Sequence, residues 1–320
     1  MSGVGVRDAS GPVPALEAPS ADYRAAKEGL AHRVRPAGVL DVGGKDGLAF
    51  LQGQLTQDVR SLAAGEVRPA AALTPKGKLL FLARLVGLPG AARLLVPRSE
   101  REPALAHLKK FVIFQKVEIA DRSDEFLRVA LYGPRSGEVP SVAEAIRLPG
   151  EGEMAAEILV PAAGFEDLER ALERAGSVSL SGKTAEILRV EAGRPRYGQD
   201  ADSSNLADEV GLDAAISPTK GCYVGQEVVA RMRTYGRVNR RLVGFRFPEG
   251  ALEPGSILKL IEEAAPGKIE QGRVTSAVAS PVFGAIGLGY AFREVPAGGR
   301  LVSAAFPSRS AVVTALPFAG

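Results

Sequence analysis

Apolar residues in the first third of the chain recur with two different periods. Leu48, Leu51, Leu55, Val59 and Leu62 fall at steps of three and four, so residues 50–62 (FLQGQLTQDVRSL) predict a helix with one buried stripe, interrupted near Gly53. Asp46 is placed to cap that helix, and Gln52, Gln54, Gln57 and Asp58 fall on its remaining faces. Upstream, 39–42 (VLDV) predicts a short strand. Between 70 and 96 the pattern is strand-like and broken by turns at 75–78 (PKGK) and 87–90. An amphipathic helix over 102–114 carries Leu105, Leu108 and Val112; 116–119 alternates like a strand, and 126–132 (FLRVALY) is another strand, ended by Gly133 and Pro134. Further on, 186–193 (EILRVEAG) predicts a helix closed by glycine, and 194–200 (RPRYGQD) is a polar turn of the kind that carries binding residues on a rigid frame. Helices and strands alternate irregularly, which predicts an α+β fold rather than a doubly wound sheet.

From Arg241 the texture changes to short strands separated by Gly and Pro turns, as in LVGFRF, SILKLI, GRVTSAV and IGLGYAF. A separate C-terminal antiparallel β-barrel over 241–320 accounts for that pattern. At 320 residues the chain exceeds one ordinary core. The predicted organisation is a disordered tail over 1–22, a region 23–240 of two interleaved α+β subdomains that divide near 125, and the barrel. The tail is rich in Gly, Ala, Ser and Pro and lacks the apolar core of a signal peptide. The longest apolar stretch, 79–97, is broken by Arg84, Gly87, Pro89, Gly90 and Arg93, so no membrane span is expected.

Composition narrows the function classes. Hydrophobic residues at 46% and charged residues at 24% describe a soluble globular protein, and a net charge of +3 does not mark a general nucleic-acid binder, so direct nucleic-acid binding is not expected. A single cysteine excludes intramolecular disulfides. With only His32 and His107 beside that thiol, no structural metal site of ordinary ligand count can form, and a cytoplasmic location is expected.

That cysteine, Cys222, lies in the most informative segment, 217–232 (SPTKGCYVGQEVVARM). Gly221 and Gly225 free the backbone on either side, and 226–232 (QEVVARM) has the composition of a helix with Glu227 in its first turn. Lys220, Arg231 and the positive end of that helix favour thiolate over thiol, which makes Cys222 a candidate nucleophile with Lys220 as its partner. The basic run 231–241 (RMRTYGRVNRR) is the best candidate for contact with an anionic partner.

The run KGCYVGQE, with FLQGQLTQDV upstream, LRVEAG between them and GRVTSAVASPVFGAIGLGY downstream, resembles the YgfZ-type folate-binding proteins, relatives of the glycine-cleavage aminomethyltransferase or T-protein. The resemblance spans roughly 30–318, and KGCYVGQE is its most specific element. It implies a cloverleaf of α+β domains and a C-terminal barrel around a central channel that accepts tetrahydrofolate or a derivative. It also implies a place in the assembly or maintenance of iron-sulfur enzymes, including radical enzymes that modify transfer RNA, as client partners. Similarity to the T-protein pocket points to Glu209 for the pterin edge, with Asp208 as a competitor, to Tyr197 for stacking and to Arg231 near the glutamyl tail. Gln54 and Asp58 are expected to line the same channel, and Tyr223, Gln226 and Glu227 of the motif to bind beside Cys222. Glu191 and Asp200 are expected to make structural hydrogen bonds.

The sequence also departs from the T-protein pattern. Where that family carries its catalytic aspartate, this chain has Phe81 and Leu82 within LTPKGKLLFLARL, and where the family's KGDF-like segment lacks a thiol, this chain has Cys222. Aminomethyl transfer is therefore not expected. Three readings stand open: a folate-dependent accessory factor using Cys222, a folate-dependent one-carbon transferase, and a non-catalytic folate-sensing scaffold.

Overall fold

The structure, a computed structural model, describes residues 18–234, 236, 238–260 and 270–319. Two compact units divide the chain: a larger one of 20–189 and 195–241, and a smaller one built on 190–194 and 242–320.

The larger unit contains two five-stranded sheets. Its strands are β1 (Ala31–Pro36), β2 (Gly38–Gly43), β3 (Val67–Leu73), β4 (Leu79–Leu88), β5 (Ala91–Val96), β6 (Glu118–Asp121), β7 (Phe126–Tyr132), β8 (Ile146–Pro149), β9 (Met154–Pro161) and β10 (Val178–Ser179). One sheet runs β3-β4-β5-β2-β6 and the other β10-β1-β7-β9-β8. Among the described residues the strands of these two sheets pair antiparallel except β1 with β10, so the predicted α+β class holds. The helices are α1 (Ala21–Glu28), α2 (Gly47–Gln54), α3 (Arg101–Lys110), α4 (Phe165–Arg174), α5 (Gly182–Glu191), α6 (Ala207–Val210) and α7 (Gln226–Thr234).

Helices α2 and α3 cover the first sheet, where Phe50, Leu51, Ala104 and Leu108 pack on Leu40, Val42, Phe81, Leu85 and Leu94. Helix α4 covers the second through Leu168 and Leu172 against Val129, Leu131 and Ile158. A third cluster joins the sheets themselves, with Val39, Val86 and Leu95 of one against Leu148 and Leu159 of the other. Each such fully buried aliphatic side chain contributes roughly 1.5–3 kcal/mol of transfer free energy.

Within that seam lies Glu157 of β9, whose side chain is 0% exposed. Its carboxylate accepts from Arg35 Nη2 at 2.9 Å, Arg84 Nη1 at 2.6 Å, and Arg128 Nε and Nη2 at 2.8 Å each. Arg84 comes from the other sheet, so one buried anion ties the two sheets together. Burial alone would raise its pKa; Arg128 first, then Arg35 and Arg84, outweigh burial and hold it at about 2.

Several local expectations change. The helix at 50–62 stops at Gln54, because the chain swerves to pair Leu55 with Ala72 and to bond Thr56 N to Ala71 O at 2.9 Å. Leu51, Leu55 and Val59 are buried all the same, the last two from the irregular segment that follows the helix rather than from a helical stripe. Asp46 does not cap α2; its carboxylate accepts from Lys116 N at 2.8 Å instead. Helix α3 ends at Lys110, four residues short of the predicted end, with lysines in its last turn where the helix dipole favours them and β-branched Val112 and Ile113 beyond. Ile113 and Phe114 are consequently exposed, and the strand predicted at 116–119 begins two residues later. The tail expected over 1–22 ends sooner: α1 starts at Ala21, and Asp22 accepts from Ser181 N at 3.0 Å, while 1–17 lie outside the described residues.

The smaller unit is a closed antiparallel barrel, ordered β11-β14-β13-β12-β15-β16, as the pattern after Arg241 predicted. Its strands are β11 (Arg240–Arg246), β12 (Ile257–Leu260), β13 (Gly272–Ser280), β14 (Gly284–Phe292), β15 (Arg300–Ser303) and β16 (Ser310–Thr314). Phe245, Phe247, Leu258, Val274, Leu301 and Val313 fill it. Glu191, the last residue of α5, accepts from Ser280 Oγ at 2.7 Å within this unit, the structural role expected of it. The C-terminal part of SILKLI lies outside the described residues. No helix among the described residues is long and apolar enough to cross a membrane.

Candidate functional site

The segment carrying Cys222 is held against the C-terminal end of α2. Carbonyls in the last turn of a helix have no partner within it and carry partial negative charge. Lys220 answers that end of the helix: its ammonium donates to Gln52 O in the last turn at 2.6 Å, to Leu55 O at the C-cap at 2.5 Å and to Gln57 O just beyond at 3.0 Å. Burial lowers the Lys220 pKa to about 8, with the Asp58 carboxylate pulling upward and Arg60 downward. The Tyr223 ring lies 4.9 Å from the same ammonium, a cation–π distance. Further bonds from Ser217 N to Thr56 O at 3.0 Å, Thr56 Oγ1 to Ala215 O at 2.6 Å and Val224 N to Gly53 O at 3.0 Å complete the attachment.

On its other side the segment meets the 75–78 turn. A Cβ on Gly225 would stand 2.6 Å from Thr74 O, and one on Gly77 would stand 2.9 Å from the Val228 side chain. Both glycines have positive φ, so these two positions let α7 seat on the turn as side chains could not. Between the anchored Lys220 and Gly225, Gly221 and Cys222 are exposed. The segment is thus fixed at both ends with the chain's single thiol facing solvent.

The expected partners of Cys222 are distributed unevenly. Lys220 is committed to the α2 carbonyls. Gln226 opens α7 and donates its N–H to Tyr223 O at 3.2 Å; Glu227 and Arg231 are exposed on that helix. Cys222 precedes α7 by four residues, outside its first turn. Tyr223 is half-buried, which raises its hydroxyl pKa, opposed by Arg233. In the basic run, Tyr235 and Arg237 lie outside the described residues, and Arg233 is paired with Asp208 at 3.3 Å and Asp213 at 2.8 Å.

A second group assembles around Glu209. This carboxylate, on the four-residue α6, accepts from Leu206 N and Asn205 Nδ2 at 3.3 Å each, and from Arg240 Nε at 3.2 Å and Nη2 at 3.3 Å. Asn205 exchanges bonds with Asp202, through Asp202 N to Asn205 Oδ1 and Asn205 N to Asp202 O, both 3.0 Å. The 194–200 turn follows directly upstream. Its buried Asp200 accepts from Arg189 Nη1 at 2.6 Å and Arg196 N at 3.0 Å, the structural role expected of it. Tyr197 is half-buried; burial raises its pKa, and the Glu100 and Asp202 carboxylates add to that.

Residues 205 and 206 also touch the 75–78 turn, since Leu79 N donates to Asn205 O at 3.0 Å and Lys78 bridges to Leu206. The Glu209 group and the Cys222 segment therefore lean on one hairpin. Gln54, at the end of α2, has a buried side-chain oxygen with no partner among the described residues. Asp58 instead binds Ser61, whose hydroxyl is the main cause of its lowered pKa.

Phe81, where the resemblance places a catalytic carboxylate, is 1% exposed, lies in the core and has its ring centroid 5.9 Å from that of His107. Leu82 is half-buried on the alternate face of β4, and neither offers a proton acceptor. His32 shares a 2.8 Å hydrogen bond with Ser177 Oγ, and His107 packs between Phe81 and Phe111, away from any carboxylate pair. Among the described residues no group of three or more His, Cys, Asp and Glu side chains could hold a metal ion.

Sequence reading placed Gln52 only on an outer face of the helix predicted over 50–62 and Arg240 only within the basic run, and it missed Asn205. Gln52 is buried and its oxygen accepts from Val59 N at 2.7 Å and Arg60 N at 3.3 Å, shaping the exit from α2. Asn205 precedes Glu209 by four residues just before an acidic first turn, a spacing that marks a helix start whose carboxylate reaches back. Arg240 was legible only as one of the cations of the basic run 231–241; nothing local pointed to Glu209, its partner 31 residues earlier.

No model of a known protein family matches the chain. An aminomethyltransferase of Rubrobacter xylanophilus is 30% identical over 315 residues, covering 88% of this chain and 83% of the relative. A tRNA-modifying protein YgfZ of Colwellia psychrerythraea is 29% identical over 222 residues, covering 64% and 68%. An iron-sulfur cluster assembly factor IBA57 homolog, mitochondrial, of Mycosarcoma maydis is 28% identical over 254 residues, covering 73% and 61%. Among solved structures, the glycine cleavage system aminomethyltransferase T from Bartonella henselae superposes with a TM-score of 0.82 at 19% identity, covering 93% of this chain and 88% of its own, and so shares the fold.

Proposed function

For a chain that belongs to the aminomethyltransferase superfamily, on its YgfZ-type branch, we propose the role of a tetrahydrofolate-binding accessory protein in iron-sulfur cluster assembly or repair, with Cys222 as its reacting thiol. The observation that carries the proposal is the exposed lone thiol on a segment fixed at both ends, by Lys220 on α2 and by Gly225 on the 75–78 turn. The names of the YgfZ and IBA57 relatives supply the cellular context, and the proposed partners are iron-sulfur proteins of the cytoplasm.

The residues present fit a reduced folate. Glu209 is a largely buried carboxylate, able to accept from the paired N–H donors of a pterin edge. Gln54 holds a buried oxygen that lacks a donor, and such an atom is costly unless something fills the role. Tyr197 offers a half-buried ring for stacking, and exposed Arg231 a cation for the glutamyl carboxylates. When bound, tetrahydrofolate supplies a one-carbon carrier or a reducing pterin. The protein's share is to orient that edge, to hold Tyr223 against the Lys220 ammonium and to present Cys222 at a fixed height above α2. One thiolate cannot hold a cluster that takes four protein ligands, so the cluster is cargo whose remaining ligands a client supplies.

The transferase reading has less support. A carboxylate is absent at Phe81 and Leu82, and Phe81 is built into the core rather than facing ligand. The scaffold reading is separated by one substitution. In Cys222→Ala, the activity of an iron-sulfur client measured in extracts is expected to fall at least about tenfold, while tetrahydrofolate binding by calorimetry stays within about twofold. Undiminished client activity would leave only the scaffold.

A further inference from the structure

Resting on the assignment of Glu209 to the pterin edge, we infer that Arg240 is a built-in stand-in for the ligand and sets its specificity by competing for the same carboxylate. A pterin recognised at its 2-amino-4-oxo edge presents an amine and a ring N–H on one carbon, which is a guanidine fragment. Arg240 presents the same fragment to Glu209 through Nε and Nη2, one to each oxygen. With Asn205 Nδ2 and Leu206 N already on Oε2, the Glu209 carboxylate has no room for a second fork.

The geometry shows which fork is replaceable. Arg240 meets Glu209 at 3.2 and 3.3 Å, whereas the Arg93 fork on Asp41 closes to 2.6 and 2.7 Å and the Arg128 fork on Glu157 to 2.8 Å twice. Charge-assisted forks prefer about 2.7–2.9 Å, so the Glu209 fork is slack. Arg240 is also the more exposed partner, with a third of its side chain open to solvent against 11% for Glu209. Asn205 and Leu206 N, by contrast, hold the Glu209 carboxylate from the two residues just before its own helix and would stay as Arg240 leaves.

A buried carboxylate without a cation is costly, which gives the stand-in its purpose when no ligand is present. The arrangement also selects. A ligand must bring two donors in parallel to displace the fork, so a pterin with its 2-amino group competes, while the same ring with an oxo group there has an acceptor where Arg240 has a donor.

The test is calorimetric titration of tetrahydrofolate into wild type, Arg240→Gln and Glu209→Gln, with thermal melts of each unliganded protein. Removing the competitor is expected to tighten binding about tenfold in Arg240→Gln while lowering the unliganded melting temperature, and Glu209→Gln is expected to abolish saturable binding. Unchanged or weaker binding in Arg240→Gln, with wild type still binding through Glu209, would overturn the inference alone. Absence of binding in wild type, or binding indifferent to Glu209→Gln, would instead overturn the assignment of Glu209 on which it rests.

Discussion

Glu157→Ala is expected to lower the stability of the protein by about 3–5 kcal/mol, the cost of leaving buried cations without their shared anion. Arg84 and Arg128 have side chains only 7% and 12% exposed, and both reach the same carboxylate from different sheets. Without it they would repel each other across the seam formed by Val39, Val86, Leu95, Leu148 and Leu159. Glu157→Gln keeps the shape and removes the charge, and should cost nearly as much. The pH dependence has a definite sign. The folded pKa, about 2, lies below the ordinary 4.5, so the native state binds fewer protons than the unfolded chain between those values. The contribution is complete above pH 4.5 and is lost as pH falls toward 2. Urea midpoints should therefore separate wild type from Glu157→Gln at pH 7 and converge in acid. A difference at neutral pH within about 0.5 kcal/mol, the range of ordinary surface changes, would contradict the assignment.

Lys220→Met is expected to cost about 2–3 kcal/mol and to release the segment that presents the thiol. Three carbonyls at and just beyond the end of α2 would lose an ionic donor together, and each buried acceptor left without one costs on the order of 1–3 kcal/mol, partly relieved by water entering from the exposed side. Here too the pH sign follows from the pKa. Burial sets the folded value near 8 against 10.5, so the unfolded state binds the extra proton between them, and the stability that Lys220 contributes rises with pH through that window. The gap between wild type and Lys220→Met should widen from pH 8 to 10.5; a constant gap would mean that the ammonium is not buried as described.

The elements that were legible in the sequence are those bounded by their own punctuation. The strand at 126–132 is an apolar run ended by Gly133 and Pro134, the barrel after Arg241 is a series of short apolar runs between Gly and Pro turns, and α7 begins at the predicted Gln226. The helix over 50–62 misled because Leu55 and Val59 are buried as well by an irregular segment after Gln54 as they would be on a helical stripe; only the bridge of Leu55 to Ala72 decides between them, and that contact is not local. Lys220 was legible as a chemically active residue but not as a helix anchor, since its three acceptors lie more than 160 residues upstream. For the same reason Glu209 could be named without its partner Arg240, and Glu157 could not be singled out at all: a carboxylate in an apolar strand reads as a surface position until arginines of other strands converge on it.

The central proposition is that the thiol of Cys222 shares a site with bound folate, and the chain's single cysteine permits a direct reading. The measurement is the rate of iodoacetamide alkylation of the native protein, followed by intact mass, with and without saturating tetrahydrofolate. Alkylation is expected to run to one adduct without denaturant, to slow about tenfold or more when folate is bound, and to lose that protection in Glu209→Gln. An alkylation rate indifferent to folate, in protein shown by calorimetry to have bound it, would place the thiol and the ligand apart and contradict the account.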